Sequence, residues 1–112
     1  MNCNPNIIAA LASMTPIPVT PASDKGTATE YIIFNYADER PEVSGNDNDL
    51  IDTTEMQIHY FTKGNPQSNK KVIRRLLRAA GFTIISTQEF FETETGYNHV
   101  VVEVEIDGAI DD

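Results

Sequence analysis

The chain has 112 residues, of which 40% are hydrophobic and 22% are charged, a balance typical of a folded protein rather than a disordered one. Its net charge of −9 opposes long-range attraction to nucleic acid or an anionic membrane, and its single cysteine excludes an internal disulfide. A length of 112 residues predicts one domain over residues 1–112. Because no apolar run reaches about 18 residues, we expect the chain to be made in the cytoplasm, with no membrane contact.

Residues 1–29 are predicted to form a short helix followed by an extended, proline-rich segment. Asn4-Pro5 is typical of a helix start, and apolar residues at helical spacing predict a buried stripe. That stripe comprises Ile7, Ile8, Leu11 and Met14. Three prolines between Thr15 and Pro21 exclude a helix there and allow an edge strand.

The segment Glu30 to Tyr36 predicts a central strand, because aromatic and β-branched residues follow one another without a breaker. Ala37 to Asp52 is acidic and contains Pro41 and Gly45, so we expect a long loop there. Long loops in compact domains are often functional, which makes this segment a candidate contact arm.

The most informative stretch is NPQSNKKVIRRLLRAAGF, residues 65–82, which predicts an amphipathic helix. Asn65 can cap its start, Pro66 suits the first turn, and Gly81 suits the left-handed position after the last turn. The apolar stripe comprises Val72, Ile73, Leu76, Leu77 and Ala80. We expect a sheet to cover this stripe while the basic residues face solvent.

The strands around this helix follow from alternation. Residues 53–62 and 98–107 alternate apolar and polar residues, which predicts two half-buried strands, and residues 82–91 predict a third with a bulge near Ser86. Gly96 marks the turn between the last two strands, and residues 108–112 form an acidic tail. The core over residues 30–107 is thus β-β-α-β-β. The predicted class is α+β, a two-layer sandwich of a mainly antiparallel four- to five-stranded sheet with two helices on one face.

The separation of charge predicts an interface. Five of the eight basic residues lie on the helix, and no acidic residue occurs from Met56 to Gln88. Subunits pairing a basic helix with an acidic arm would make a heterologous contact, which can close into a ring. A solvated surface with no partner is the other interpretation. The candidate interface residues are Lys70, Lys71, Arg74, Arg75, Arg78, Glu39, Glu42, Asp47, Asp49 and Asp52.

The sequence offers no pattern for catalysis, a metal or a cofactor. Asp47, Asp49 and Asp52 alternate as in a calcium loop, but Ile58 stands where a twelfth-position carboxylate is needed. His59 and His99 lie in predicted strands, where packed or half-exposed histidines are the simpler interpretation. We therefore expect a protein that is not an enzyme and binds no cofactor.

The order of these segments resembles the small tail terminator, or tail completion, proteins of long-tailed bacteriophages, which join head to tail. The resemblance covers about Ile17 to Ile106, and Ala80-Gly81-Phe82 and Tyr97-Asn98-His99 are its more specific parts. It is carried by YIIFNYADERPEVSGNDNDLIDTTEMQIHYFTKGN, KKVIRRLLRAAGF and FFETETGYNHVVVEVEI.

This resemblance implies a structural protein of the virion, assembled in the host cytoplasm. It implies a homo-oligomeric ring, a hexamer, that ends polymerisation of the tail tube protein and contacts the head connector. DNA would pass through the ring without specific binding. The alternative is a stand-alone α+β module that binds a protein or a small ligand, which should show an apolar pocket with convergent polar groups.

Overall fold

The helices and strands are assigned from a computed structural model that describes residues 3–21, 29–43 and 50–109. A short 3-10 turn, Ala12–Met14, follows the first helix. The elements in chain order are α1 Asn4–Ala10, β1 Val19–Pro21, β2 Glu30–Val43, β3 Leu50–Thr62, α2 Gln67–Ala79, β4 Thr83–Phe91 and β5 Asn98–Ala109.

The five strands form one mixed sheet in the order β1-β2-β3-β5-β4. All neighbours are antiparallel except β1, which lies parallel to β2 with Val19 opposite Ile32. The proline-rich segment thus supplies a three-residue edge strand, consistent with prolines being tolerated at a sheet edge. The predicted α+β class is confirmed.

Both helices cover the same face of the sheet, as predicted. Ile7 and Leu11 of α1 and Ile73 and Leu77 of α2 have no solvent exposure. They pack in one cluster with alternate residues of the three central strands. The strand members of this cluster are Ile32, Phe34, Met56, Ile58, Tyr60, Val100, Val102 and Val104. The alternation predicted for residues 98–107 is therefore correct.

A polar network ties α2 to the sheet at the end where the helix begins. Tyr60 Oη donates a hydrogen bond to Glu30 Oε2, and Asn69 Nδ2 donates to that carboxylate at 3.0 Å and to Tyr60 Oη at 2.9 Å. Burial raises the pKa of Tyr60, as does its hydrogen bond with Glu30. The phenol therefore stays protonated and holds the first turn of α2 against β2 and β3.

The prediction of a loop over Ala37 to Asp52 is wrong for residues 37–43 and 50–52, and residues 44–49 lie outside the described residues. Residues 37–43 continue β2 and residues 50–52 begin β3, paired in register from Asp38↔Glu55 to Val43↔Leu50 after a shift beyond Tyr36. Backbone pairing needs no apolar side chains, so charged residues that predict a loop can still form a hairpin.

Two residues assigned to buried stripes are exposed. Ile8 of α1 is 47% exposed because the sheet lies against the side of the helix that carries Ile7 and Leu11. Ala80 is exposed because α2 ends at Ala79 and the chain then turns away through Gly81. Val72 and Leu76 are half-buried at the margins of the covered stripe.

Candidate interaction surfaces

The first surface is the solvent side of α2, and its ends form as the sequence predicts. Asn65 Oδ1 accepts a hydrogen bond of 2.9 Å from the backbone N–H of Gln67, which satisfies one free donor of the first turn. Gly81 has a φ of 98°, the left-handed conformation that ends a helix and that side chains disfavour. With Ile73 and Leu77 fixed in the core, the basic residues occupy the remaining sides.

The five basic residues of α2 are not equivalent. Lys71, Arg75 and Arg78 are exposed, whereas Lys70 and Arg74 are half-buried. Arg74 Nε is buried and has no hydrogen-bond partner among the described residues. The exposed positions match the predicted cationic face, and its role as an interface stays a prediction.

Glu89 of β4 joins the helix to the neighbouring edge strand. Lys70 Nζ lies 3.4 Å from Glu89 Oε2, and Gln67 Nε2 donates a hydrogen bond of 2.9 Å to Glu89 Oε1. One carboxylate therefore bridges two successive turns of α2 to β4. The cationic helix and the edge strand are held as a single flank of the molecule.

That flank also exposes large apolar side chains, here called the apolar strip, on both faces of the β4 edge. Ile85, Phe90 and Phe91 of β4 are 46%, 52% and 61% exposed. A register shift between Ile84 and Ser86 interrupts the pairing with β5 at Ile85. Two consecutive phenylalanines at the end of a predicted strand could have indicated exposed apolar side chains. Without the order of the strands in the sheet, however, the sequence does not show whether those side chains are buried.

A cleft of about 310 Å³ lies beside this strip. Pro66 and Gln67 at the start of α2, Phe90 and Phe91 of β4, and His99 of β5 contribute to its walls. β4 pairs with β5 on one side, and no other described strand pairs with its second edge. Among the described residues, the second edge of β4 therefore has unpaired backbone groups next to large exposed apolar side chains.

The second surface is a pair of strand segments at the other end of the sheet, here called the acidic arm and defined as residues 38–43 and 50–55. Its register is Asp38↔Glu55 through Val43↔Leu50, and the end of β5 pairs with it, with Ile51 opposite Ala109. Thr53 Oγ1 donates a hydrogen bond of 2.7 Å to Asp107 Oδ1. The described residues of the predicted contact arm are thus paired in strands, together with the end of β5.

The acidic candidates are distributed as follows. Glu39 and Glu42 lie in β2, with their backbones paired to Thr54 and Ile51, and Asp52 lies in β3, paired to Pro41 and Gly108. Asp47 and Asp49 lie outside the described residues. The three strand residues are brought together at one end of the sheet.

A third feature lies on the sheet face opposite the helices, where aromatic rings cross the strands. Tyr31 stacks on Phe61 at 4.7 Å between ring centroids, and Phe61 stacks on His99 at 4.1 Å. Tyr97 meets Tyr31 edge-on at 5.6 Å. Tyr31 and Phe61 are only 7% and 9% exposed, so this cluster covers much of its own surface.

The two histidines belong to this outer cluster. His59 Nδ1 lies 2.8 Å from His99 Nε2, and His59 Nε2 lies 3.0 Å from Asn35 Oδ1. An Nε2–H on both rings satisfies these contacts, because His59 then donates to Asn35 and accepts from His99. This pairing agrees with the prediction that the histidines are packed or half-exposed.

Their surroundings favour neutral imidazoles. Burial lowers the pKa of His59 from its usual 6.5, and the neighbouring His99 lowers it further. Burial also lowers the pKa of His99, while the Glu92 carboxylate, 3.6 Å from His99 Nδ1, opposes that shift. Within the described residues, no three His, Cys, Asp or Glu side chains are placed to hold a metal ion.

No helix in the described parts of the chain is long and apolar enough to cross a membrane. The longer one, α2, has 13 residues and a strongly basic side.

Comparisons with known proteins bear on the fold. No protein-family model matches the chain, and no curated protein matches it in sequence. In structure it is similar to a chain from the virion of a native gene transfer agent particle. That similarity has a TM-score of 0.54 at 9% sequence identity, and it covers 88% of this chain and 84% of the other.

Proposed function

We propose that this protein is a structural component of a phage-like virion and acts there as a tail terminator. The observation that carries the proposal is a shared fold over most of both chains, 88% and 84%, with a protein found in a gene transfer agent virion. The resemblance of the sequence to tail terminator proteins points to the same class of particle. In this role the chain is a building block and not an enzyme.

The proposed assembly is a homo-oligomeric ring, a hexamer, at the end of the tail tube nearest the head. One side of the ring contacts the tail tube protein and stops its polymerisation, and the other side contacts the head connector. Heterologous contacts between unlike surfaces close into rings when the rotation between subunits allows it. A chain with a cationic helix and a separate acidic arm has the unlike surfaces that such contacts need.

The overall charge suits a ring through which DNA passes. A net charge of −9 per chain repels phosphate, so the nucleic acid is not retained by the wall of the channel. The cationic residues are concentrated on α2, and in the proposed ring they face protein rather than the lumen.

The test is removal of the gene from the particle that encodes it. We expect tails of uncontrolled length and filled heads that remain separate from tails, seen by negative-stain electron microscopy. Complementation with the wild-type chain should restore both. Tails of normal length joined to heads in the absence of the protein would refute the terminator role.

The alternative function, a stand-alone binding module, is favoured by the cleft beside β4. Phe90, Phe91 and His99 give it apolar walls with one imidazole. A small ligand bound there should shift the NMR signals of these residues without changing the oligomeric state. A contact between subunits should shift the same signals only when the protein self-associates.

A further inference from the structure

The edge strand β4 exposes large apolar side chains next to α2. Ile85, Phe90 and Phe91 expose about half or more of their area, which is unusual for three large apolar side chains on one nine-residue strand. Glu89 contacts both Gln67 and Lys70, so Phe91, two positions along on the same face of β4, lies on the side of α2. Phe90 is paired with His99 and exposes its ring on the opposite face of the same strand edge. An edge strand with open backbone groups is also a template for pairing.

From these contacts we infer that the α2–β4 flank, meaning the exposed basic residues of α2 together with Ile85, Phe90 and Phe91, receives the acidic arm of a second copy of this chain. The inference rests on the proposed function and deepens it, because it names the contact that would close the ring. In that contact the basic residues of α2 would face the carboxylates of the arm, and the apolar residues of β4 would face the apolar residues of the arm.

The charges of the two regions are complementary. The arm, residues 38–43 and 50–55, contains five carboxylates and one arginine, whereas α2 contains five basic residues and no acidic one. The exposed members of the basic set are Lys71, Arg75 and Arg78, whose charged groups are open to a partner. The sequence of the arm also contains apolar residues next to its acids, namely Val43, Leu50 and Ile51.

We place the contact between copies because the outer part of the arm and the Phe91 end of β4 lie at opposite ends of one sheet. Phe91 pairs with Asn98 at the start of β5, and Ile51 of the arm pairs with Ala109 at its end. Eleven steps of an extended strand span about 36 Å. The outer part of the arm therefore cannot reach the Phe91 end of its own β4.

A symmetric contact between two β4 strands is disfavoured. It would bring the α2 helices of both copies together, and each exposes Lys71, Arg75 and Arg78. Like charges held close together oppose such an arrangement. The heterologous contact with the arm avoids this repulsion and permits a ring.

The first test compares two isoleucines with nearly equal exposure. Ile85→Glu lies in the proposed contact, and Ile8→Glu lies on α1 with 47% exposure against 46% for Ile85. We expect Ile85→Glu and Phe91→Glu to weaken self-association about tenfold or more, since a carboxylate enters an apolar and acidic contact. Ile8→Glu should change it by less than about twofold. Sedimentation velocity gives the association constants, and thermal unfolding shows that each variant folds.

A second test locates the partner surface by disulfide formation in the full chain. Phe91→Cys protein is mixed with Val43→Cys protein and oxidised. The native Cys3 is buried, so we expect it not to form cross-links, and oxidised wild-type protein checks this. We expect a cross-linked dimer in the mixture and little in either protein alone. Preferential cross-linking of Phe91→Cys with itself would overturn the inference in favour of a symmetric contact.

The outcomes separate this inference from the proposed function. Wild-type protein found in particles, together with equal incorporation of Ile85→Glu, refutes the β4 contact and leaves the virion role standing. Wild-type protein that is absent from particles and never associates with the tail tube refutes both. Loss of self-association for Ile85→Glu but not Ile8→Glu supports the contact.

Discussion

The α2–β4 flank and the acidic arm are made from the same sheet but differ in how they relate to the core. On the flank, Ile73 and Leu77 are fully buried beneath a cationic surface, and β4 turns apolar side chains to solvent. The arm extends past Tyr36, where the register of β2 shifts, as a hairpin of acidic strands. The outer part of the arm and the first turn of α2 thus lie at opposite ends of the sheet, which favours contact between these opposite charges in different molecules.

The largest expected effect on stability comes from truncating a buried side chain of α2. Leu77→Ala removes a side chain with no exposure from beneath the basic face, and we expect a loss of about 2–5 kcal/mol in the free energy of unfolding. Urea denaturation followed by circular dichroism measures it. Arg78→Ala, one position along and exposed, should stay within about 0.5 kcal/mol of wild type. Equal stability of the two variants would mean that α2 is not anchored as described.

Charge reversal on α2 removes the attraction between the basic helix and the acidic arm while leaving the fold unchanged. Arg75→Glu with Arg78→Glu changes two exposed side chains, so we expect normal unfolding but self-association weakened by about 2–3 kcal/mol, or roughly a hundredfold. Raising the salt concentration should weaken the wild type in the same direction, because exposed charges are screened. Unchanged association would remove α2 from the contact.

A smaller effect is expected where the flank is tied to the sheet. Tyr60→Phe deletes the hydroxyl that contacts Glu30 and Asn69, leaving their polar groups with fewer partners. We expect unfolding to become easier by about 1–2 kcal/mol. Thermal denaturation measures the change. Tyr36→Phe is the matched control on the same face, since its hydroxyl accepts one backbone hydrogen bond from Cys3. Because the Tyr60 hydroxyl holds α2 against the sheet, Tyr60→Phe should lower the free energy of unfolding more than Tyr36→Phe does.

The smallest effect concerns the outer face, which belongs to neither region. Because burial lowers the pKa of His59 and His99, the folded protein binds fewer protons than the unfolded chain below pH 6.5. Their contribution to stability is therefore complete above that pH and declines as the pH falls through it. Denaturation midpoints between pH 8 and 5 should show this decline, and His59→Gln with His99→Gln should flatten it. A slope unaffected by the substitutions would assign the pH dependence to other groups.

The flank was largely predictable because its signals are local. Asn65, Gly81 and the spacing of Ile73 and Leu77 define where α2 begins, ends and packs, and strict alternation defines β5. These features depend on backbone geometry and on periods of two or 3.6 residues, which any sequence displays directly.

The arm and the β4 strip were not predictable for a related reason. Strand pairing over residues 38–43 is decided by a partner strand, and its charged side chains carry no burial pattern. The exposure of Phe90 and Phe91 depends on β4 being the last strand of the sheet, a matter of strand order rather than composition. Charge in the sequence was enough to predict the interface candidates on α2. The exposed apolar residues of β4 could be identified only from the order of the strands in the sheet.

The most direct test of the central claim is the mass of the full chain, measured by native mass spectrometry with and without tail tube protein. If unlike surfaces meet between copies, the wild type should give a closed oligomer, a hexamer of the 12.4 kDa chain, and Arg75→Glu with Arg78→Glu should give mostly monomer. A wild-type chain that stays monomeric in both conditions, or a charge-reversed chain that assembles equally well, would contradict the account.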